Sequence, residues 1–236
     1  MRSEQGRTTA VLVHAAWFDG SSWAKVIAGL GNLGVPSVAV QLPLTSLSDD
    51  AAAVRAVIDR QAGPVVLVGH SYSGAAATAA GADNKKVKAI VYVAAIVPDE
   101  RETVGAVFQR VPAHPDAPTL VPDAAGFLWV DCKAFTKAIA PDAAPAETAL
   151  LTAVQKPISV KCLGEPMSSA AWREKPTYFL IAENDRMVAP ETQRFEARRM
   201  GSKTISLPVD HTPLLSAANA IVDVILEASG ASKGAQ

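Results

Sequence analysis

Short apolar runs alternate along the chain with longer stretches in which apolar residues recur at helical spacing. The runs lie at residues 10–14, 36–40, 64–69, 87–95, 176–182 and 203–208. Runs that are apolar at almost every position are typical of strands buried on both faces, as in a parallel sheet. Their alternation with helical stretches predicts an α/β fold built on a doubly wound, mainly parallel sheet.

The stretches between the runs carry residues that begin and end helices. These stretches lie at residues 21–34, 49–63, 75–83, 190–201 and 212–229. We expect Asp49 or Asp50 to cap the second helix and Pro190 to begin the fourth. Glycines suited to helix ends close three of the stretches, at Gly34, Gly63 and Gly201.

The alternation is interrupted once, over residues 98–173. This segment is rich in Pro, Ala and Asp but contains the apolar clusters VGAVF, GFLWV and ALLTAV. It is too long for an ordinary connection, and its clusters argue against a disordered linker. Because ligands bind at the carboxyl edge of such sheets, we interpret the segment as a lid inserted over that edge. The prediction is a single domain over residues 1–236, with its core at about 9–97 and 174–228.

Composition and charge exclude several classes of partner. Hydrophobic residues make up 49% of the chain and charged residues 19%, so the chain can bury a large core. The formal net charge of −1 provides no electrostatic basis for binding nucleic acid or an anionic membrane. Apolar runs are too short for a membrane helix, and MRSEQGRTTA lacks the apolar core of a secretory signal. We therefore expect a cytoplasmic protein with neither kind of partner.

The cysteines and histidines lack the spacing of a metal or redox motif. Cys132 and Cys162 have neither CxxC spacing nor a neighbouring histidine, so we interpret them as free thiols. Neither an HxxxH pattern nor a cluster of Asp and His occurs. We expect no metal and no other cofactor.

Residues 69–74, GHSYSG, join a predicted buried strand to an alanine-rich predicted helix. A sharp strand-to-helix turn lifts its apex residue, here Ser71, above the sheet edge and requires small residues two positions away on each side. Gly69 and Ser73 meet that requirement, and Gly74 leaves further room. The segment therefore indicates a nucleophilic serine. The alternative is that Ser71 only caps the following helix.

A nucleophilic serine needs a base, and the chain has four histidines. His211 follows the last predicted strand, on a loop at the same sheet edge as Ser71, and is the best candidate. His70 adjoins Ser71 and should point away from it, whereas His114 lies in the lid segment. His14 ends the first strand and is expected to order a loop. The alternative for His211 is a structural hydrogen bond at a helix start.

The base in turn needs a carboxylate to orient it. Asp185 lies past the end of the strand at 176–182, before a turn and a new helix. Glu183 lies closer to the strand. Asp210 adjoins His211, and neighbours in sequence rarely present their side chains to each other. Asp185 is therefore the preferred carboxylate, with an ordinary turn residue as the alternative.

An acyl-transfer site also needs N–H donors for the developing oxyanion. One donor is expected from the backbone of Tyr72, directly after the nucleophile. The second is expected from Ala16, in the loop HAAWFDGSSW after the first strand.

The segments VLVHAAWFDGSSW, PLTSLSDDAAAVR, GHSYSG, VKAIVYVAAIVPDE, AENDRMVAPETQRF and DHTPLLS together resemble the α/β-hydrolase superfamily. More narrowly, the chain resembles a small bacterial esterase-like branch that is similar to plant methylesterases and hydroxynitrile lyases. The resemblance extends over nearly all of residues 9–228 and is weakest in the lid. It implies Ser71 as nucleophile with Asp185 and His211 as its partners, and an oxyanion hole at Ala16 and Tyr72.

Two positions depart from the relatives that this resemblance implies. Esterases of the family usually have glycine after the first-strand histidine, where this chain has Ala15. Hydroxynitrile lyases of the branch carry a threonine at that position and a lysine directly after the catalytic histidine, where this chain has Thr212. A methyl group forms no hydrogen bond and a threonine carries no charge, so the lyase interpretation is disfavoured.

These observations predict a cofactor-independent serine hydrolase that cleaves a small to medium, largely uncharged carboxylic ester. Aromatic residues near the site are candidates for an apolar substrate pocket: Trp17, Phe18, Tyr72, Phe108, Trp129 and Trp172. Two alternatives stay open. One is a lyase or C–C bond hydrolase on the same scaffold, and the other is a ligand-binding protein with little turnover. Self-association as a homodimer is also left open.

Overall fold

The computed structural model describes residues 6–231, so both ends of the predicted domain range, 1–5 and 232–236, lie outside the described residues. The strands in chain order are β1 (Thr9–Val13), β2 (Ser37–Val40), β3 (Val65–His70), β4 (Val87–Val93), β5 (Phe127–Leu128), β6 (Ile158–Ser159), β7 (Thr177–Ala182) and β8 (Lys203–Leu207). Within residues 6–231, six of these strands form one sheet in the order β2-β1-β3-β4-β7-β8. Each pair of adjacent strands in this sheet is parallel. The predicted parallel sheet is confirmed, and every predicted strand is present.

Burial explains why the central strands are apolar at consecutive positions. All residues of β1 and β3 are buried, because helices cover both faces of the sheet. Val11 and Val13 of β1 face one hydrophobic core, whereas Ala10 and Leu12 face the other. The edge strand β8 is partly exposed along its length, and its sequence KTISL is correspondingly more polar.

Helices cover both faces of the sheet, and further short helices lie within residues 98–173. In chain order the helices are α1 (Ala24–Asn32), α2 (Leu47–Asp59), α3 (Ser73–Gly81), α4 (Val104–Phe108), α5 (Cys132–Ala134), α6 (Pro145–Ala153), α7 (Val160–Gly164), α8 (Pro190–Arg199), α9 (Pro213–Ser216) and α10 (Ala218–Ala228). Helices α1 and α10 share the core that contains Leu12, and α2 and α3 share the core that contains Val11. In the described part of the chain, no helix combines the length and the apolar character needed to cross a membrane.

The helix boundaries correct one prediction and confirm another. Neither Asp49 nor Asp50 caps α2, because the side chain of Ser46 accepts a hydrogen bond from the Asp49 N–H at 3.0 Å. Asp50 is instead fully buried on the inner face of α2. Pro190 is the first residue of α8, as predicted.

The segment 98–173, for which we keep the name lid segment, connects β4 to β7. It contains short helices, a π-helical turn at Phe135–Ile139 and the antiparallel pair of β5 and β6. Its apolar residues Val104, Leu128 and Ile158 are buried against the core that contains α2 and α3. The segment therefore packs on the rest of the chain partly through the clusters VGAVF and GFLWV and partly through Ile158.

Candidate active site

The order of the strands creates a crevice at the carboxyl ends of β1 and β3. The chain leaves β1 toward β2 on one side and returns to β3 on the other side of β1. Ligands bind in open α/β sheets at such a switch point, outside the carboxyl ends of the strands. The loop after β1 and the turn containing Ser71 meet at this crevice.

The turn at Ser71 has a strained backbone conformation. Ser71 has φ of +57°, in the left-handed region that is costly for any residue except glycine. A Cβ on Gly69 would lie 2.8 Å from the carbonyl oxygen of Ser73. A Cβ on Gly74 would lie 2.7 Å from the carbonyl oxygen of Ile96. The tight position on the helix side is therefore Gly74, whereas Ser73 has room for its side chain.

The structure brings three of the predicted site residues into one hydrogen-bonded chain. Ser71 Oγ lies 2.8 Å from His211 Nε2, and His211 Nδ1 lies 2.6 Å from Asp185 Oδ2. All three residues are buried. An ionised carboxylate only accepts hydrogen bonds, so His211 Nδ1–H donates to it and Nε2 is free to accept the Ser71 proton. Glu183, the alternative carboxylate, pairs with Arg194 instead.

The carboxylate of Asp185 is held by three donors besides the histidine. Its Oδ1 accepts from the backbone N–H groups of Met187 and Val188, each at 2.8 Å, and its Oδ2 accepts from Gln193 Nε2 at 2.8 Å. Gln193 is itself fixed, because its Oε1 accepts from the Ala182 N–H at the end of β7. Gln193 was not predicted, because its burial in the first turns of α8 is visible only in the folded structure.

His70 contacts both the backbone and the ring of His211. Its Nε2–H donates to the carbonyl oxygen of His211 at 2.7 Å, and the two rings lie 5.0 Å apart. Burial, with the nearby His211 as a smaller cause, lowers the pKa of His70 well below its usual value. His70 is therefore neutral, and its Nε2 faces the His211 carbonyl oxygen rather than the Ser71 hydroxyl.

Ala16, Ser71 and Tyr72 line the same cavity. Within residues 6–231, the backbone N–H of neither Ala16 nor Tyr72 donates to a protein acceptor. The side chain of Tyr72 turns the other way, and its hydroxyl donates to Asp50 Oδ2 at 2.6 Å. The oxyanion hole at Ala16 and Tyr72 stays a prediction.

A cavity of about 440 Å³ opens beside these groups. Its walls are mainly apolar and include Trp17 and Phe108, together with Val104, Leu120 and Ile158. Among residues 6–231, no charged side chain lines it. Trp17 is also anchored to the lid segment, because its Nε1–H donates to the Leu128 carbonyl oxygen at 3.0 Å.

Three aromatic residues proposed from the sequence as pocket walls lie outside this cavity. Phe18 is fully buried and packs on Phe135 and His70, because it points into the core beneath the loop. Trp129 is 53% exposed and follows β5 on the outer surface. Trp172 is half-buried and stacks with arginine side chains near the end of the lid segment.

The two positions that depart from the hydroxynitrile-lyase pattern are both buried. Ala15 is 1% exposed and does not line the cavity. The Thr212 hydroxyl donates to Asp210 Oδ1 at 2.7 Å, so it is used within the protein. Neither residue presents a polar group to the space beside Ser71.

Comparisons with known proteins agree with this architecture. The family model described as the alpha/beta hydrolase family matches residues 10–224. The "Probable hydrolase R7" of Phoma sp. is 26% identical over 244 residues, which cover 93% of this chain and 97% of that relative. A pyrethroid hydrolase from Sphingobium faniae JZ-2 has a similar structure, with a TM-score of 0.79 and 20% identity, over 95% of this chain and 98% of that one. Polyneuridine aldehyde esterase is similar over 94% and 99% of the two chains, with a TM-score of 0.80 and 17% identity. The chain described above belongs to the alpha/beta hydrolase family.

Proposed function

We propose that this protein is a serine esterase that cleaves an uncharged, apolar carboxylic ester of small to medium size. The observation that carries the proposal is the hydrogen-bonded chain of Ser71, His211 and Asp185, with distances of 2.8 Å and 2.6 Å. Such a chain can remove the serine proton and stabilise the imidazolium that forms. It stands at the switch point of the sheet, in a chain that belongs to the alpha/beta hydrolase family.

In the proposed reaction, Ser71 Oγ attacks the ester carbonyl carbon while His211 Nε2 takes the serine proton. Asp185 stabilises the resulting imidazolium, and the N–H groups of Ala16 and Tyr72 hold the oxyanion. Each such donor contributes about 3 kcal/mol to the transition state in related sites. The tetrahedral intermediate then expels the alcohol oxygen, which receives the proton from His211.

The second half of the reaction restores the enzyme. His211 takes a proton from water, and the resulting hydroxide attacks the acyl carbon bound to Ser71 Oγ. The second tetrahedral intermediate collapses and releases the carboxylic acid, and the proton returns to Ser71. No redox step or metal ion enters this sequence of bonds made and broken.

The volume and the lining of the cavity favour an apolar substrate. A volume of about 440 Å³ holds a medium-sized ester, and uncharged walls offer no partner for an ionised acyl or alcohol group. The similar structures include a protein named as a pyrethroid hydrolase and one named as an esterase, which is consistent with ester cleavage on this fold.

The test is hydrolysis of p-nitrophenyl esters from acetate to octanoate by the parent protein and by Ser71→Ala. We expect measurable turnover in the parent and a loss of at least about 10³-fold in the variant. A fluorophosphonate should label the parent at Ser71, and Ser71→Ala should stay unlabelled. Turnover that is equal in both proteins contradicts the proposal.

Two other outcomes identify the alternatives. Ligand binding with no turnover and no labelling of Ser71 indicates a binding protein on this fold. Cyanide release from a cyanohydrin without ester cleavage indicates a lyase, which the buried Ala15 and the internally bonded Thr212 disfavour.

A further inference from the structure

We infer that His14 is a positioning residue that fixes the peptide between Ala15 and Ala16 and thereby aims the Ala16 N–H at the oxyanion. The inference rests on the proposed function, because it takes Ala16 as an oxyanion donor. It assigns a role to a histidine that touches neither Ser71 nor the triad partners of Ser71.

The protonation of the His14 ring follows from its hydrogen bonds. The backbone N–H of Leu42 donates to His14 Nε2 at 2.9 Å. A backbone N–H can only donate, so Nε2 carries no proton. The proton of the neutral ring is therefore on Nδ1, which lies 2.9 Å from the Ala15 carbonyl oxygen and donates to it.

That carbonyl belongs to the same peptide unit as the Ala16 N–H. The unit is planar and rigid, so a hydrogen bond that fixes the Ala15 carbonyl also fixes the direction of the Ala16 N–H. A bond accepted by the carbonyl also polarises the amide and strengthens the N–H as a donor. His14 thus acts on the oxyanion donor through one peptide plane.

The loop needs such a restraint because of its backbone conformation. Trp17, directly after Ala16, has φ of +64°, which is unfavourable for a bulky residue. A loop that stores conformational energy at this point relaxes unless bonds on both sides hold it. The His14 bonds hold one side, and the bond from Trp17 Nε1 to Leu128 holds the other.

The environment of His14 keeps the ring in the required state. The side chain is fully buried, and burial lowers its pKa to about 4. The charged groups that act on it are Lys156, which also lowers the pKa, and Asp19, which opposes the shift. Lys156 Nζ donates to the Leu42 carbonyl, so the lid segment contacts the same loop that donates to His14. At neutral pH the ring is uncharged, as the two hydrogen bonds require.

Substitution of His14 by asparagine or by glutamine tests its two hydrogen bonds one at a time. The amide nitrogen of asparagine reaches the place of Nδ1 and can donate to Ala15. The amide of glutamine reaches the place of Nε2 and can accept from Leu42. His14→Phe keeps a ring and removes both bonds.

The experiment measures kcat and KM on a p-nitrophenyl ester, together with the Ki of a trifluoromethyl ketone. Such a ketone forms a tetrahedral oxyanion on the serine, so its Ki reports the oxyanion hole. We expect His14→Gln and His14→Phe to lower kcat about 10- to 100-fold, with KM changed less than about threefold. Their Ki should rise in parallel with the loss of kcat. His14→Asn should recover most of both.

Val26→Ala, a truncation in the opposite core, is the matched control for lost stability. Its thermal unfolding temperature should fall while kcat and Ki stay within about twofold of the parent. If His14→Phe does not fold, the comparison of His14→Asn with His14→Gln decides alone.

Three results overturn the inference. The first is an active parent whose kcat and Ki are unchanged in folded His14→Gln. The second is recovery of kcat and Ki in His14→Gln together with their loss in His14→Asn, which would show that the Leu42 bond matters rather than the Ala15 bond. The third is a parent that neither hydrolyses esters nor binds the ketone, and this result alone also removes the proposed function.

Discussion

The hydroxyl oxygen of Ser73 lies 2.7 Å from the carbonyl oxygen of Val13, to which it donates a hydrogen bond. The same oxygen accepts from the backbone N–H of His70 at 2.9 Å. The two bonds connect the turn that carries Ser71 to the end of β1, one residue before the loop that begins at His14. Serine thus replaces the usual glycine of this turn with a buried link between the two sides of the site.

Removing this link should destabilise the protein. For Ser73→Ala we expect a loss of about 1–3 kcal/mol in the free energy of unfolding, since a buried N–H and carbonyl lose their partner. Ser73→Gly should lose about 0.5–1 kcal/mol more, because glycine is more flexible in the unfolded chain. Urea unfolding followed by circular dichroism measures both values. Unchanged stability in Ser73→Ala would show that the link contributes nothing.

Replacing the carboxylate of the hydrogen-bonded chain should abolish most activity. The neutral amide in Asp185→Asn can donate a hydrogen bond as well as accept one. It therefore no longer holds the His211 proton on Nδ1, and the histidine loses its required tautomer. We expect kcat to fall about 10³- to 10⁴-fold. Glu183→Gln is the matched control, because Glu183 pairs with Arg194 and does not contact His211. Its kcat should stay within about twofold, and comparable losses in both variants would refute the choice of carboxylate.

The buried pair of Tyr72 and Asp50 should contribute to stability in a pH-dependent way. Asp50 is fully buried, and burial raises the pKa of its carboxyl although the Tyr72 hydroxyl opposes the shift. Tyr72→Phe removes that donor and should cost about 1.5–3 kcal/mol. A protein loses stability as pH rises when one of its carboxyls has a higher pKa in the folded state than in the unfolded state. Without the Tyr72 hydroxyl this effect of Asp50 increases, so the stability deficit of the variant should be larger at pH 8 than at pH 5. Urea unfolding at the two pH values measures it, and an equal deficit at both would mean that Asp50 does not change its ionisation between pH 5 and pH 8.

Glu196 should make the protein less stable as pH rises. Burial raises the pKa of its carboxyl to about 8, although Arg199 lies 2.8 Å away and opposes the shift. The other charged groups that act on it are Glu102, which raises the pKa, and Arg110, which lowers it. The folded protein therefore retains a proton that the unfolded chain releases near pH 4.5. Because of this difference, the free energy of unfolding should fall by about 4 kcal/mol between pH 5 and pH 8.

Glu196→Gln should remove this part of the pH dependence. The measurement is the free energy of unfolding of parent and variant at pH 5, 6.5 and 8. Glu191→Gln, on the exposed side of the same helix, is the control and should retain the slope of the parent. A variant that follows the parent at all three pH values would place the titration elsewhere.

The size of the cavity should set the preferred ester. Phe108 lines the cavity from α4, so Phe108→Ala should enlarge it. We expect the ratio of kcat/KM for p-nitrophenyl octanoate to that for acetate to rise about tenfold. Trp129→Ala removes an aromatic side chain of the lid segment outside the cavity and should leave the ratio unchanged. A similar change in both variants would mean that the lid segment acts through its packing rather than through the cavity wall.

The strands and the main helices could be predicted from the residues alone, because each element records its own burial as a local pattern. The continuous apolar run of β3 reflects cover on both faces, and Pro190 marks the start of α8. The residues Ser71, Asp185 and His211 were identifiable for a related reason. Each lies within three residues of the end of a predicted strand, and parallel strands end at one edge of the sheet.

The contacts that support these residues depend on packing between distant segments. Gln193 reaches Asp185 only because α8 folds back along the end of β7, and His14 meets Leu42 across two neighbouring strands. The walls of the cavity were poorly predicted because the lid segment consists of short helices and proline-rich turns without a periodic pattern. Whether an aromatic residue such as Phe18, Trp129 or Phe108 points into the core, the solvent or the cavity is set by the packing of several segments at once. A local sequence pattern indicates how far a side chain is buried, but it does not indicate which other segments of the chain pack against that side chain.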